Sequence, residues 1–98
     1  MILVRDIFNL KFGKAKEAKV IMNEGRNLIN QYGFAKTRAM TDLTGPAYTL
    51  ILETEWKNLG EMENGLKTAF ADKNWQNWYQ KFVPLVDSGN REIFTIMD

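Results

Sequence analysis

Six side chains of this 98-residue chain are of types, and in places, that could do chemistry. Arg38 offers planar, permanently charged donors suited to an anionic or phenolate oxygen; its plainer role is a charge on an edge strand that discourages aggregation. Tyr48 could orient a ligand or act as a weak acid, or simply satisfy its hydroxyl within a core. Glu53 and Glu55 are two apart on one expected strand and so share a face, where they could share a proton or bind a hard cation through oxygen. With only two ligands in view, a solvated strand end paired with Lys57 accounts for them better. Asn9 becomes a hydrogen-bonding group in an otherwise apolar cavity if Phe8 and Leu10 face the helices; the alternative is a solvated or dimer-pairing residue. Trp56 stands at the end of the expected strand that also carries Tyr48, as part of a pocket or as an aromatic plug between strand and helix.

The composition closes most other routes. An apolar fraction of 45% with 26% charged residues is globular and excludes a disordered chain, and the length suits one domain spanning residues 1–98. The 13 Lys and Arg against 12 Asp and Glu leave a net charge of +1, so no long-range field draws the chain to nucleic acid or anionic lipid. The absence of Cys removes disulfides, thiolate nucleophiles and cysteine zinc sites, and makes the cytoplasm the expected compartment. The absence of His removes the usual triad base, the commonest metal ligand and the proximal haem ligand. No metal or other cofactor is expected. Met1 to Val4 is too short for a signal sequence, and no apolar run approaches the roughly 20 residues of a membrane span, so a soluble chain, unprocessed at this end and with no membrane partner, is expected.

The elements that must position these residues follow from periodicity. Residues 2 to 12 alternate, with Ile2, Val4, Phe8, Leu10 and Phe12 on one face, which predicts a strand. Gly13 ends it, and Ala15, Ala18, Ile21, Met22, Gly25, Leu28, Ile29 and Tyr32 keep helical spacing until Gly33, a left-handed closing residue. Residues 35 to 43 suit a half-exposed edge strand, and Thr44-Gly45-Pro46 a turn. Ala47 to Glu55 is strongly β-prone and apolar on both faces, as a central strand would be. Asn58 with Glu61 starts a helix in the manner of a capping box, with Leu59, Met62, Leu66, Ala69 and Phe70 as its stripe. Asp72 can cap a continuation through Trp75, Trp78, Tyr79 and Phe82, whose spacing is that of a core and not of a base-stacking surface, until Pro84. Asp87 to Asn90 then reads as a turn and Arg91 to Met97 as the last strand, with Arg91 and Glu92 as cross-strand or intersubunit charge partners.

The order βαββαβ predicts an α+β, ferredoxin-like domain: a four-stranded antiparallel sheet with two helical crossovers, both right-handed and therefore on one face. Nothing in the chain covers the other face, yet the third strand must present either Tyr48, Leu50 and Leu52 or Ala47 and Ile51 there. Burying such a side chain contributes about 1.5–3 kcal/mol, so a homodimer through the open sheet face is expected. A monomer whose second helical region folds around the edge is the alternative.

Met1-Ile2 through Leu10-Lys11-Phe12-Gly13-Lys14, the Glu53-to-Leu59 junction, the Trp75 and Trp78 region and Ser88-Gly-Asn-Arg-Glu-Ile-Phe94 resemble the dimeric α+β barrel superfamily, nearest its NIPSNAP-like and antibiotic-biosynthesis-monooxygenase-like branches. The resemblance implies two sheets packed face to face into a barrel whose interior can hold a small ligand. The monooxygenase branch oxidises polycyclic phenols without a cofactor, in a pocket with a Trp ending the third strand, an Asn four residues before it and a Tyr six after, and the resemblance implies at most a related activity here because two of those three groups are missing. Trp56 matches, while Leu52 and Met62 occupy the other two positions. NIPSNAP-like members often alternate acidic, basic and Tyr residues on the first strand, where this chain has Val4, Asp6 and Phe8. Two functions are therefore carried forward. One is a barrel that binds or transforms a small, partly aromatic or apolar molecule, with Asn9, Arg38, Tyr48 and Trp56 as pocket candidates and no assigned catalytic residue. The other is a non-catalytic interaction dimer whose barrel is filled by its own side chains.

Overall fold

The computed structural model describes residues 1–32 and 36–97. Its elements are β1 (Ile2–Leu10), α1 (Ala15–Ile29), β2 (Lys36–Thr41), β3 (Thr49–Trp56), α2 (Leu59–Ala71), α3 (Lys73–Phe82) and β4 (Val86–Thr95), with a short 3-10 turn at Val83–Leu85 before β4. The expected helix-closing Gly33 and the expected first residue of the second strand, Ala35, lie outside the described residues. The strands form one antiparallel sheet in the order β2-β3-β1-β4, the ferredoxin-like arrangement that the period-two and period-3.6 patterns predict.

Local chemistry explains where the elements begin and end. Asn58 is extended and its side chain accepts from the Glu61 amide at 2.9 Å, starting α2. Asp72 is also extended, at ψ 127°, which stops α2; its carboxylate then accepts from the Asn74 amide at 2.8 Å and caps α3. The second crossover is thus two helices. Three expected boundaries move. β1 stops at Leu10, leaving Phe12 88% exposed beyond the sheet. β3 starts at Thr49 because Tyr48 has φ 62°, which interrupts extended backbone. The expected turn at Asp87 to Asn90 is strand instead: the turn at Val83–Leu85, with Pro84 in its first positions, has already reversed the chain. Asp87 is an extra residue bulged from the ladder, since Leu10 faces Val86 and Asn9 faces Ser88.

One face of the sheet carries the core. Leu10, Leu50 and Leu52 pack on Ala18, Met22 and Ile29 of α1 and on Trp78 and Phe82 of α3. α3 is held by aromatic contacts, Trp78 stacking on Phe82 at 5.2 Å and Phe82 meeting Phe8 edge-on at 5.0 Å. The Trp78 indole N–H donates to the Ile21 carbonyl at 2.6 Å, tying α3 to α1.

A second tie runs from the end of α1 to the α2–α3 junction, where the Tyr32 hydroxyl donates to Asp72 at 2.6 Å. Burial, followed by this bond and the nearby negative charge, pushes the Tyr32 hydroxyl up to about 12 from an ordinary 10.0. The folded state binds this proton more tightly, so the contribution to stability is full below pH 10.0 and is lost as pH rises toward about 12. An ultraviolet titration of phenolate absorbance should show one tyrosine ionising late, and Tyr32→Phe should remove that step and cost about 1 kcal/mol. Retention of the late step in Tyr32→Phe would show that the bond to Asp72 is not its cause.

The reverse face of the sheet is not covered by the described residues. It presents Leu3, Ile7, Ile51 and Phe94, the last 43% exposed, around a charged centre. Glu53, only 3% exposed, accepts from Arg5 Nε at 2.9 Å on one carboxylate oxygen and from Arg38 at 2.6 and 3.2 Å on the other. Arg5 also lies over the Phe94 ring at 5.3 Å and 3.8 Å from Glu92. Glu53 is therefore not the solvated, Lys57-paired strand end that its sequence position suggests. Its neighbours across the ladder, Arg5 on β1 and Arg38 on β2, share its face and neutralise it there.

Candidate functional site

The same sheet that packs on α1 leaves room beneath α2 and the outer part of α3. Val4, Asp6 and Phe8 of β1 and Leu52, Thr54 and Trp56 of β3 form the floor of a cleft of about 560 Å³. Alternation along each strand places all six on this face. Met62, Leu66 and Phe70, four apart along α2, line the opposite wall with Trp75, Trp78 and Tyr79 of α3. The volume is within the range of small-molecule sites, roughly 300–1,000 Å³, which are characteristically apolar with a few polar groups.

Trp56 is held firmly. Its indole N–H donates to the Thr54 hydroxyl at 3.1 Å, and its ring lies against Gly65 of α2, where a Cβ would overlap it. The charged feature of the cleft is an ion pair between edge strand and floor: Arg91 Nε donates to Asp6 at 2.6 Å across the β1–β4 ladder. The Asp6 side chain is 16% exposed and that of Arg91 43%, so the carboxylate is shielded while the guanidinium reaches toward water. Nε being committed to Asp6, the other guanidinium nitrogens can meet an acceptor on a bound molecule. Exposed Phe70, Tyr79, Gln80 and Arg91 mark the mouth. Among the described residues no group of three or more acidic side chains is placed to hold a metal ion, and the site's capacity is to enclose a flat apolar body and hydrogen-bond one polar substituent.

The four sequence candidates do not share one space. Trp56 is in the cleft. Asn9 and Arg38 are on the reverse face of the sheet, Asn9 donating to Ser88 Oγ at 2.9 Å and Arg38 paired with Glu53. They are also separated along it, since Asn9 lies opposite Thr49 and Arg38 opposite Glu53. Tyr48, half-buried at the end of the sheet, sits 5.1 Å from the ring of Phe12. The sequence reading missed Asp6 and Arg91 as site residues. An acid within the apolar parity of Val4 and Phe8 was a usable signal for Asp6, whereas Arg91 needs the β1–β4 register. Leu52 and Met62, at the positions where the monooxygenase-like pattern has Asn and Tyr, both line the cleft with Trp56.

No family model and no curated protein matches the sequence. The fold, however, has clear counterparts among solved structures. An uncharacterized NIPSNAP domain protein from Burkholderia xenovorans superposes with TM-score 0.88 at 18% identity, over 99% of this chain and 95% of its own. A NIPSNAP family protein from Agrobacterium tumefaciens superposes with TM-score 0.89 at 18% identity, over 99% of this chain and 86% of its own. SnoaB, a cofactor-independent oxygenase from Streptomyces nogalater, superposes with TM-score 0.78 at 11% identity, over 99% of this chain and 93% of its own. The chain thus has the ferredoxin-like α+β fold of NIPSNAP-like and antibiotic-biosynthesis-monooxygenase-like proteins. Among its described residues no helix is long and apolar enough to cross a membrane.

Proposed function

We propose that the protein binds a small, flat, largely apolar molecule bearing one polar substituent, in the cleft between its sheet and α2–α3, and that it does so as a homodimer closed through the reverse face of the sheet. The observation that carries this reading is the cleft itself, about 560 Å³ walled by Trp56, Trp75 and Trp78 with one ion pair, Asp6–Arg91, at its mouth. The dimer is supported by the apolar ring of Leu3, Ile7, Ile51 and Phe94 on the reverse face. Its buried carboxylate, Glu53, is already paired with Arg5 and Arg38 within one chain, so closing two such faces leaves that charge neutralised. The barrel of such a dimer is filled by its own side chains, as in the interaction-dimer reading, and the ligand space lies behind it.

SnoaB, with the same fold, is a cofactor-independent oxygenase, and cofactor-free transformation of the bound molecule is the enzymatic extension of the proposal. Leu52 and Met62 supply no polar group to it, so any proton handling at this site falls to Asp6 and Tyr79, with Arg91 as a fixed charged donor. No metal or haem is included in the proposal: the cleft contains neither His nor Cys, and its carboxylate, Asp6, is paired with Arg91.

Titration with 1-naphthol, followed by tryptophan fluorescence, should saturate at one molecule per chain. At 100 times the dissociation constant it should stabilise the fold by about 2.7 kcal/mol. Leu66→Trp, which fills the cleft, should raise the dissociation constant at least tenfold while the protein stays folded by circular dichroism. Arg91→Met should weaken naphthol more than naphthalene. Quenching that never saturates, or that is unchanged in Leu66→Trp, would count against the cleft.

A further inference from the structure

Separated from the cleft by Met22, α1 and the edge strand β2 enclose a groove of about 200 Å³. Lys19, Asn23 and Arg26 enter it from one face of α1, at i, i+4 and i+7, and Thr41 enters from β2. Met22 and Leu50 close its apolar base. Among the described residues no carboxylate lines it. The acids nearest in sequence are engaged elsewhere: Glu24 lies 3.6 Å from Lys81, and Asp42 accepts from the Thr49 amide at 2.9 Å. Arg26 lines the groove, and its Nε is buried with no hydrogen-bond partner among the described residues. A buried guanidinium N–H without an acceptor is costly and calls for a physical cause.

We infer that this groove is an oxyanion site, taking a phosphate group held by Arg26, Lys19, Asn23 and Thr41. The donors come from two walls, a helix and a strand, so a ligand that satisfies them needs acceptors in more than one plane. A tetrahedral phosphate has these, whereas a planar carboxylate would leave donors on one wall unmet. Two positive side chains with no facing acid also favour a multiply charged anion over a neutral ligand. The same chemistry could come from free phosphate or from a phosphate ester on a larger molecule.

Nuclear magnetic resonance of the Arg26 Nε–H, in ¹⁵N-labelled protein at constant ionic strength, tests this directly. Inorganic phosphate should shift the signal saturably and acetate should not. Lys19→Gln, at an exposed position, should weaken phosphate at least fivefold. Arg26→Met, read through the Asn23 amide signals, should abolish binding. Tighter binding of inorganic phosphate than of phenyl phosphate would assign the site to the free anion; the reverse order would assign it to an ester. A shift that does not saturate, that acetate reproduces, or that Lys19→Gln leaves unchanged would overturn the proposal. None of these outcomes bears on the naphthol cleft, which shares no polar residue with this groove.

Discussion

Gly25→Ala should destabilise the protein by about 2 kcal/mol, although the same exchange at an open helical position would be stabilising by up to about 1 kcal/mol. Gly25 is buried in the middle of α1, and an added Cβ would overlap the indole of Trp78. That ring has nowhere to go. Its N–H is fixed to the Ile21 carbonyl at 2.6 Å, one face stacks on Phe82 and Trp75 lies 4.9 Å away. Overpacking against a ring held on three sides therefore outweighs the gain in helix propensity. Gly60 is the internal control, since its Cβ would meet only the Asn58 side chain at 3.3 Å, and Gly60→Ala should be nearly neutral. Chemical denaturation of the two variants measures both. Equal stabilities would mean that Trp78 is not seated on α1 as described.

Glu53→Ala should cost about 2 kcal/mol and, in the proposed dimer, shift the equilibrium toward monomer. Removing one member of a buried ion pair costs about 3–5 kcal/mol when the partner is stranded without water. Here the Arg5 and Arg38 side chains are 35% and 66% exposed, which relieves part of that penalty. Within the proposed interface the relief is withdrawn, so dimerisation should suffer more than folding. The same carboxylate gives an acid limit. The Arg38 hydrogen bond, opposed by burial and reinforced by Arg5, holds Glu53 below its usual 4.5. Because the folded-state value is depressed, its contribution is full above pH 4.5 and is lost as pH falls through the lower folded value. Denaturation midpoints from pH 7 to pH 3 should fall steeply in the native protein and more gently in Glu53→Ala. Parallel curves would assign acid sensitivity elsewhere.

Much of the fold was legible because its strands and helices announce themselves by period. The alternation of Val4, Phe8 and Leu10, the α1 stripe through Ala18, Met22 and Ile29, and the caps at Asn58 and Asp72 all appear where sequence places them. Boundaries shifted where backbone conformation, not side-chain pattern, decides: Tyr48 takes φ 62° and the reversal before β4 is made by Val83–Leu85. The site was less legible for a different reason. Pairing is set by register, and register is a property of two strands at once, so Glu53 with Arg5 and Arg38, or Asp6 with Arg91, cannot be read along one strand. Parity also assigns Trp56 to the helix side and Asn9 and Arg38 to the reverse, which moves the candidate ligand space from a barrel interior to the cleft behind it.

That displacement is what intermolecular nuclear Overhauser effects can locate most directly. With 1-naphthol bound, the ligand protons should contact the side chains of Trp56, Leu66 and Trp75 at one molecule per chain. Contacts to Leu3, Ile7 and Ile51 instead would place the ligand between two sheets and contradict the cleft as the binding site.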